Sequence, residues 1–333
     1  MTLPPRIRPG EKSRRRPRRR PTLSPTTAER SERLCGVIPV LPTPFQENGS
    51  LDLPSLDRLL EHALTWSAHG LAILGVASEA EKLDAAEYAA VAEAAARKIA
   101  GRSPLVMGAS GATSAAAAAA ARVARRVGAC AVFAKAPVSS RPEAAEAEAL
   151  EYYLAIARAA DLPVMVQNFA PAAGAGGVVA PDALARIVRA DPRIQYVKEE
   201  TPPPAGNGKI SQLRQMLGEA VTVFSGSGGI SLVDDLRRGA AGTMPGAVLV
   251  RPLVRIFEDY RQGREAEADR LHAAILPLIV FRARWGFAPV TKQILSDLGI
   301  LRTATVREPT GGTLDAQALW ELRRLQKILA AYL

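Results

Sequence analysis

Cysteine and histidine are scarce in this chain, with two of the first and three of the second among 333 residues. Cys35 and Cys130 indicate no disulfide framework, and their apolar, strand-like settings are those of buried free thiols. A chain so poor in cysteine has its natural home in the cytoplasm. His62, His69 and His272 are scattered without ligand spacing, so a histidine-based zinc or iron site has no support, and neither a metal nor another cofactor is expected. No apolar run reaches the length of about 18 residues that a membrane span needs, which excludes a membrane partner. No Gly-x-Gly-x-x-Gly turn follows the first candidate strand, where a dinucleotide-binding open sheet would need one.

What is present is ordinary globular composition, 48% hydrophobic and 23% charged, in a chain long enough for one large barrel or two smaller domains. The net charge of +10 is unevenly placed. Residues 1–20 carry nine basic side chains against Glu11 alone, which leaves only +2 for the other 313 residues. The basicity therefore belongs to a tail, and an inference from high pI to nucleic-acid binding applies to that tail if anywhere. Residues 1–31 are rich in Pro, Arg, Ser and Thr and lack apolar periodicity, so a disordered arm is expected there. The segment after the arginines supplies no hydrophobic stretch of a signal peptide, and a solvated arm is favoured over a nucleic-acid partner.

From Gly36 onward, short apolar or β-branched runs alternate with longer alanine-rich helical segments, the pattern of repeated βα units around a parallel sheet. Eight candidate strands fall at 36–41, 71–74, 105–108, 129–133, 164–167, 196–199, 221–224 and 242–244. Helical patterns lie between them, and Pro54, Pro142 and Pro181 stand at helix starts, where the missing N–H does no harm. Eight such units predict an α/β fold of the (β/α)8 TIM-barrel type, occupying residues 32–262. The purely helical segments at 265–281, 289–298 and 314–332 predict a C-terminal helical extension over 263–333.

In such a barrel the active residues project from the carboxyl ends of the strands. Lys198 closes the apolar run Ile194 to Val197 and is followed by Glu199 and Glu200. Burial disfavours the charged form of a lysine, and a neutral amine is a nucleophile. Alternation along the strand places Tyr196, Lys198 and Glu200 on one face, an amine beside a carboxylate. A solvated strand end with an ordinary ion pair is the plain alternative. Other strand ends converge on the same mouth: Thr43, the stretch Gly75-Val76-Ala77-Ser78-Glu79, Gln167-Asn168, Ser225-Gly226-Ser227-Gly228-Gly229, and Met244-Pro245-Gly246. Small residues at 75–78 and 225–229 can present backbone amides to an anion such as a carboxylate.

The strings Gly36-Val37-Ile38-Pro39-Val40, Thr43-Pro44-Phe45, Gly75 to Glu79, Lys198, Gly239-Ala240-Ala241-Gly242-Thr243 and Val290-Thr291-Lys292 resemble the dihydrodipicolinate synthase/N-acetylneuraminate lyase family, over about residues 34–330. The resemblance implies a (β/α)8 barrel with a helical extension, usually tetrameric, whose barrel lysine forms a Schiff base with a small-molecule 2-oxo acid. Where synthases and lyases of the family carry Tyr-Asn at the end of strand five, this chain carries Gln167-Asn168, and glutamine does not titrate. Where synthases place two threonines after the strand-two glycine, it carries Val76-Ala77, and the family's aromatic pair after strand four appears as Val138-Ser139. The synthase arginine for the second substrate's carboxylate falls at Ala172. These departures count against synthase and sialic-acid lyase activity. The strings Met165-Val166-Gln167-Asn168, Lys198 to Pro202 with Lys209, and Gly242 to Gly246 look more like the branch that dehydrates 2-keto-3-deoxy sugar acids, although Asn168 replaces the acid often seen there.

On that reading Lys198 is the Schiff-base nucleophile, Glu200 or Ser78 moves protons, and Ala77 and Ser78 cradle the carboxylate beside Thr43 and Val76. Gln167 and Asn168 orient substrate hydroxyls, and Gly226 and Met244 line the pocket floor. The alternatives are a class I aldolase that cleaves a 4-hydroxy-2-oxo acid, a dihydrodipicolinate synthase-like condensation, and an inactive barrel serving as sensor or scaffold.

Overall fold

The computed structural model describes residues 33–169, 179–201, 206, 208–309 and 313–332. The basic tail, the centre of the loop after strand five, and Pro202 with the three residues after it lie outside the described residues.

Eight parallel strands run β1 (Gly36–Val37), β2 (Leu71–Ile73), β3 (Leu105–Gly108), β4 (Ala131–Ala134), β5 (Val164–Phe169), β6 (Ile194–Glu200), β7 (Thr222–Ser225) and β8 (Gly242–Thr243). From β2 to β8 each strand pairs with its sequence neighbours, and β1 pairs with β8 through Gly36 opposite Gly242. The seam closes where Val40, just past β1, bridges Ala72 of β2, with Leu41 N–H on the Ala72 carbonyl at 2.8 Å. The sheet is therefore a complete (β/α)8 barrel, with no free edge to present unpaired amides.

The strands are apolar on both faces because both are covered, the expectation for a parallel sheet. One face fills the barrel: Ile38, Val40, Ala72, Val106, Ala131, Phe133, Met165, Tyr196, Phe224 and Met244 form a single interior cluster. The other face packs against a ring of helices, α1 (Leu53–Ala63), α2 (Ala85–Ile99), α3 (Ser114–Arg126), α4 (Ala145–Ala160), α5 (Pro181–Ala190), α6 (Lys209–Leu217), α7 (Leu232–Arg237) and α8 (Val250–Arg261). Local chemistry starts several of these. The Asp52 carboxylate accepts from Ser55 N–H ahead of Pro54 in α1, and Asp84 and Glu87 form a reciprocal capping box in α2. Alanine-rich α3 keeps Ala117, Ala121 and Ala124 inward at helical spacing, which lets it lie close to the sheet.

Three further helices follow, α9 (Glu265–Trp285), α10 (Phe287–Asp297) and α11 (Ala316–Ile328). They are more than an appendage, because the α9–α10 joint at Gly286 lies against the open end of the barrel. None of the described helices is long and apolar enough to cross a membrane.

The cysteines depart from expectation: Cys35 and Cys130 are both exposed rather than buried. Each sits one residue ahead of a strand, β1 and β4, at the amino-terminal rim of the barrel. Proximity to an apolar run misjudged that rim.

Candidate functional site

The strand period of two carries Met165, Gln167 and Phe169 of β5, and Tyr196, Lys198 and Glu200 of β6, up the inner face of the barrel. The register sets Gln167 beside Lys198 and Phe169 beside Glu200. At the carboxyl end these side chains open into a cavity of about 270 Å3, lined among others by Val40, Val76, Ala77, Phe133, Lys198, Glu200, Ser227, Met244 and the first turn of α10.

Lys198 Nζ lies 3.0 Å from Glu200 Oε2, and both side chains are buried, at 6% and 9% exposure. The carboxylate is held on three sides. Gln167 Nε2 donates to Oε2 at 2.6 Å, Ser227 N–H donates to Oε1 at 3.0 Å, and Lys198 completes the set. A Cβ on Gly226 would fall 1.9 Å from Glu200 Cγ, so glycine at 226 is what lets the strand-seven loop close on this carboxylate. Three donors of this kind stabilise an anionic carboxylate while fixing its position.

The opposite face of β6 carries a separate polar network. Asn168 Nδ2 donates to Glu199 Oε2 at 2.8 Å and to the Val179 carbonyl at 3.1 Å, and Lys209 Nζ reaches Thr201 Oγ1 at 2.9 Å. Burial raises the Glu199 carboxyl against these hydrogen bonds, and burial lowers the Lys209 amine. The network ties the loops after β5 and β6 together behind the barrel wall.

Of the residues singled out in the sequence, Lys198, Glu200, Gln167, Val76, Ala77 and Met244 line one cavity, and Gly226 supports it from behind. Asn168 faces outward, because it follows Gln167 by one position on a strand. Ser78 is 1% exposed: its hydroxyl donates to the Leu41 carbonyl at 2.6 Å and accepts Gly75 N–H at 3.1 Å, while its own N–H turns back to the Gly75 carbonyl. That hydroxyl clamps the loops after β1 and β2 to each other, and Ser78 is not among the cavity-lining residues. Thr43 is buried, and its hydroxyl finds no hydrogen-bond partner among the described residues.

Sequence reasoning missed three contributions. Phe133 and Phe169 add apolar walls. Glu79, quoted only as part of a motif, pairs with Lys292 of α10 at 2.5 Å and fastens that helix to the strand-two loop. Phe287, Ala288 and Pro289 roof the cavity. The pairing of a glutamate and a lysine more than 200 positions apart left no local pattern to find.

A closed (β/α)8 barrel with a buried lysine beside a fixed carboxylate at its carboxyl end defines a class of barrel suited to lysine-centred chemistry on a small molecule. Comparison with known proteins supplies the family. The Dihydrodipicolinate synthetase family matches residues 33–329, and the chain belongs to it. Its relatives include the L-2-keto-3-deoxyarabonate dehydratase of Azospirillum brasilense, 30% identical over 285 residues that cover 85% of this chain and 91% of that protein. The 4-hydroxy-tetrahydrodipicolinate synthase of Methanosphaerula palustris is 30% identical over 89% of this chain and 99% of its own. The crystal structure of dihydrodipicolinate synthase from Rhodopseudomonas palustris superposes with a TM-score of 0.80 at 30% identity, over 89% of this chain and 97% of that one.

Proposed function

We propose that this protein is a lyase that holds a 2-oxo acid as a Schiff base on Lys198 and removes water from a 2-keto-3-deoxy sugar acid. The observation that carries the reading is the Lys198–Glu200 pair at 3.0 Å, with Gln167 and Ser227 fixing the carboxylate at the cavity wall. Likeness to a named dehydratase along 91% of that protein's length supports the choice of reaction.

In this mechanism the Lys198 amine attacks the C2 carbonyl, and the carbinolamine that forms loses its hydroxyl as water to give an iminium. The positive nitrogen acidifies C3, Glu200 takes a C3 proton, and an enamine results. Expulsion of the C4 hydroxyl, protonated on departure by the same carboxyl group, yields an unsaturated iminium, which water cleaves from Lys198. The net change is the loss of one water from the substrate. Glu200 occupies the proton-transfer role here because Ser78 spends its hydroxyl on Leu41 and Gly75. The backbone at Val76 and Ala77 receives the C1 carboxylate, and Gln167 both orients Glu200 and faces the substrate. Assembly as a homotetramer, implied by the family resemblance, belongs to the same proposal and is read by sedimentation velocity.

Borohydride reduction with pyruvate or a 2-keto-3-deoxy acid, followed by peptide mass mapping, is expected to place the adduct on Lys198. Turnover with an unlabelled Lys198 would exclude the route. Product analysis separates the outcomes: an intact carbon skeleton lacking one water marks the dehydratase, whereas pyruvate plus an aldehyde marks the aldolase.

A further inference from the structure

Arg282, near the end of α9, is fully buried, at 0% exposure, yet no carboxylate among the described residues pairs with it. Among the described residues its one hydrogen bond runs from Nη2 to Thr291 Oγ1 at 3.1 Å, and Nε and Nη1 find no acceptor there. Burial pulls its pKa down to about 10, so it still carries a charge at neutral pH. An unpaired buried charge is costly unless something compensates it.

Its surroundings show where compensation would come from. A Cβ on Gly246 would fall 2.3 Å from Nη2, and Gly246 lines the cavity. The guanidinium stacks 5.4 Å from the centroid of Phe287, which lines the cavity too. Phe287 opens α10, an 11-residue helix whose N-cap Gly286 supplies no capping side chain and whose first turn holds no acid. The amides of Phe287 and Ala288 therefore lack intrahelical acceptors, and the positive end of the helix points at the cavity. Of the acids along this cavity, Glu200 is bound to Lys198 and Glu79 to Lys292 and Lys82, and Glu81 is exposed at the rim.

We propose that the first turn of α10, with the Arg282 guanidinium behind Phe287 and Gly246, is a subsite for a second carboxylate of the substrate, at the end of the carbon chain remote from the oxo group. The C1 carboxylate must stay next to the carbon bonded to Lys198 on β6. Phe287 at the α10 terminus instead meets the loop after β7, where a Cβ on Gly228 would fall 3.0 Å from its ring, and Arg282 meets Gly246 in the loop after β8, a position that suits the far end of the chain. Arg282 acts as a positioning residue, through its field across a water-poor layer rather than by touching the substrate. This inference rests on Lys198 holding the oxo acid and narrows the substrate class to 2-keto-3-deoxy acids that end in a carboxylate.

The test is borohydride trapping with 2-oxoglutarate and with 2-oxohexanoate, which has the same span without the second charge, and with pyruvate as the common reference. Half-saturation of the Lys198 adduct is expected at a concentration about tenfold lower for 2-oxoglutarate, since the helix terminus and the guanidinium field favour only the acid that carries the second charge. Arg282→Met should bring the two oxo acids together and leave pyruvate trapping unchanged, while Arg282→Lys should keep part of the difference. Ala288→Asp, which fills the subsite with a carboxylate in a helix turn that favours it, should abolish the preference without loss of fold. Equal half-saturation in the unaltered protein, or a preference that survives Ala288→Asp, would overturn the subsite while pyruvate trapping kept the lyase reading intact. Failure of pyruvate itself to label Lys198 would remove both.

Discussion

Among the described residues the protein holds two buried lysine–glutamate pairs, and they are built for opposite purposes. Lys198 and Glu200 come from one strand, two positions apart, and share the inner face that opens into the cavity. Lys292 and Glu79 come from α10 and the strand-two loop and are buried, at 0% and 3% exposure; Glu79 edges the cavity, but the amine is sealed away from it, donating also to the Thr305 carbonyl at 2.8 Å and lying 4.2 Å over the Phe45 ring. Glu79 is further held by Lys82 at 3.0 Å and Arg307 N–H at 3.0 Å. A buried lysine is thus no sufficient mark of a nucleophile. What separates the two is unoccupied space: one amine borders a volume that a ketone could enter, and the other is surrounded on every side by groups that consume its donors.

The largest expected effect breaks the first pair. Lys198→Ala should lower turnover by about a thousandfold or more, in the range that loss of covalent and acid–base catalysis reaches, and abolish the reducible adduct. An adduct that persisted on Lys292 would erase the distinction between the pairs. Next in size is Glu200→Gln, which keeps an acceptor for Lys198 but removes the base. Turnover should fall about a hundredfold, with adduct formation from pyruvate reduced far less. Parallel loss of both would make Glu200 a support for the lysine and nothing more.

Breaking the second pair should read out in stability. Lys292→Met leaves Glu79 with Lys82 and the Arg307 amide but uncovers a buried carboxylate, for an expected destabilisation of about 3 kcal/mol. Urea denaturation measures it. The folded fraction should still form the Lys198 adduct, and adding Glu79→Gln should return part of the lost stability, because a buried pair removed whole costs less than one halved. A single variant that lost adduct formation while fully folded would place Lys292 in the chemistry.

Much of the barrel was legible because its rules are local. Apolar runs of strand length, alanine-rich segments between them and prolines at helix starts located all eight strands, and the period of two put Tyr196, Lys198 and Glu200 on one face. The same period, applied to Gln167 and Asn168, would have sent Asn168 to the outside, where Glu199 and Thr201 engage it. Ser78 illustrates the other limit: its residue type suits a proton shuttle, and only the folded loops bring Leu41 and Gly75 onto its hydroxyl. The roof of the cavity from α10, and Arg282 behind it, depend on the C-terminal helices folding back across the barrel mouth, a long-range arrangement no short string encodes.

The smallest effect concerns protons and sharpens the contrast most directly. Burial depresses the Lys292 amine from its ordinary 10.5 to about 8, against the pull of Glu79 in the other direction. Between those values the unfolded chain holds a proton that the folded chain has released, so stability rises with pH across the window. The contribution is complete above 10.5 and is lost as the pH falls through about 8. Other groups titrate in the same range, and subtracting the profile of Lys292→Met cancels them, since the substitution removes this lysine from both states. The difference in unfolding free energy between the parent and Lys292→Met should therefore climb from pH 8 toward 10.5. A flat difference would mean that Glu79, Thr305 and the Phe45 face together hold the ammonium as firmly as water does, and the sealed pair would then be an electrostatic asset rather than a strained one.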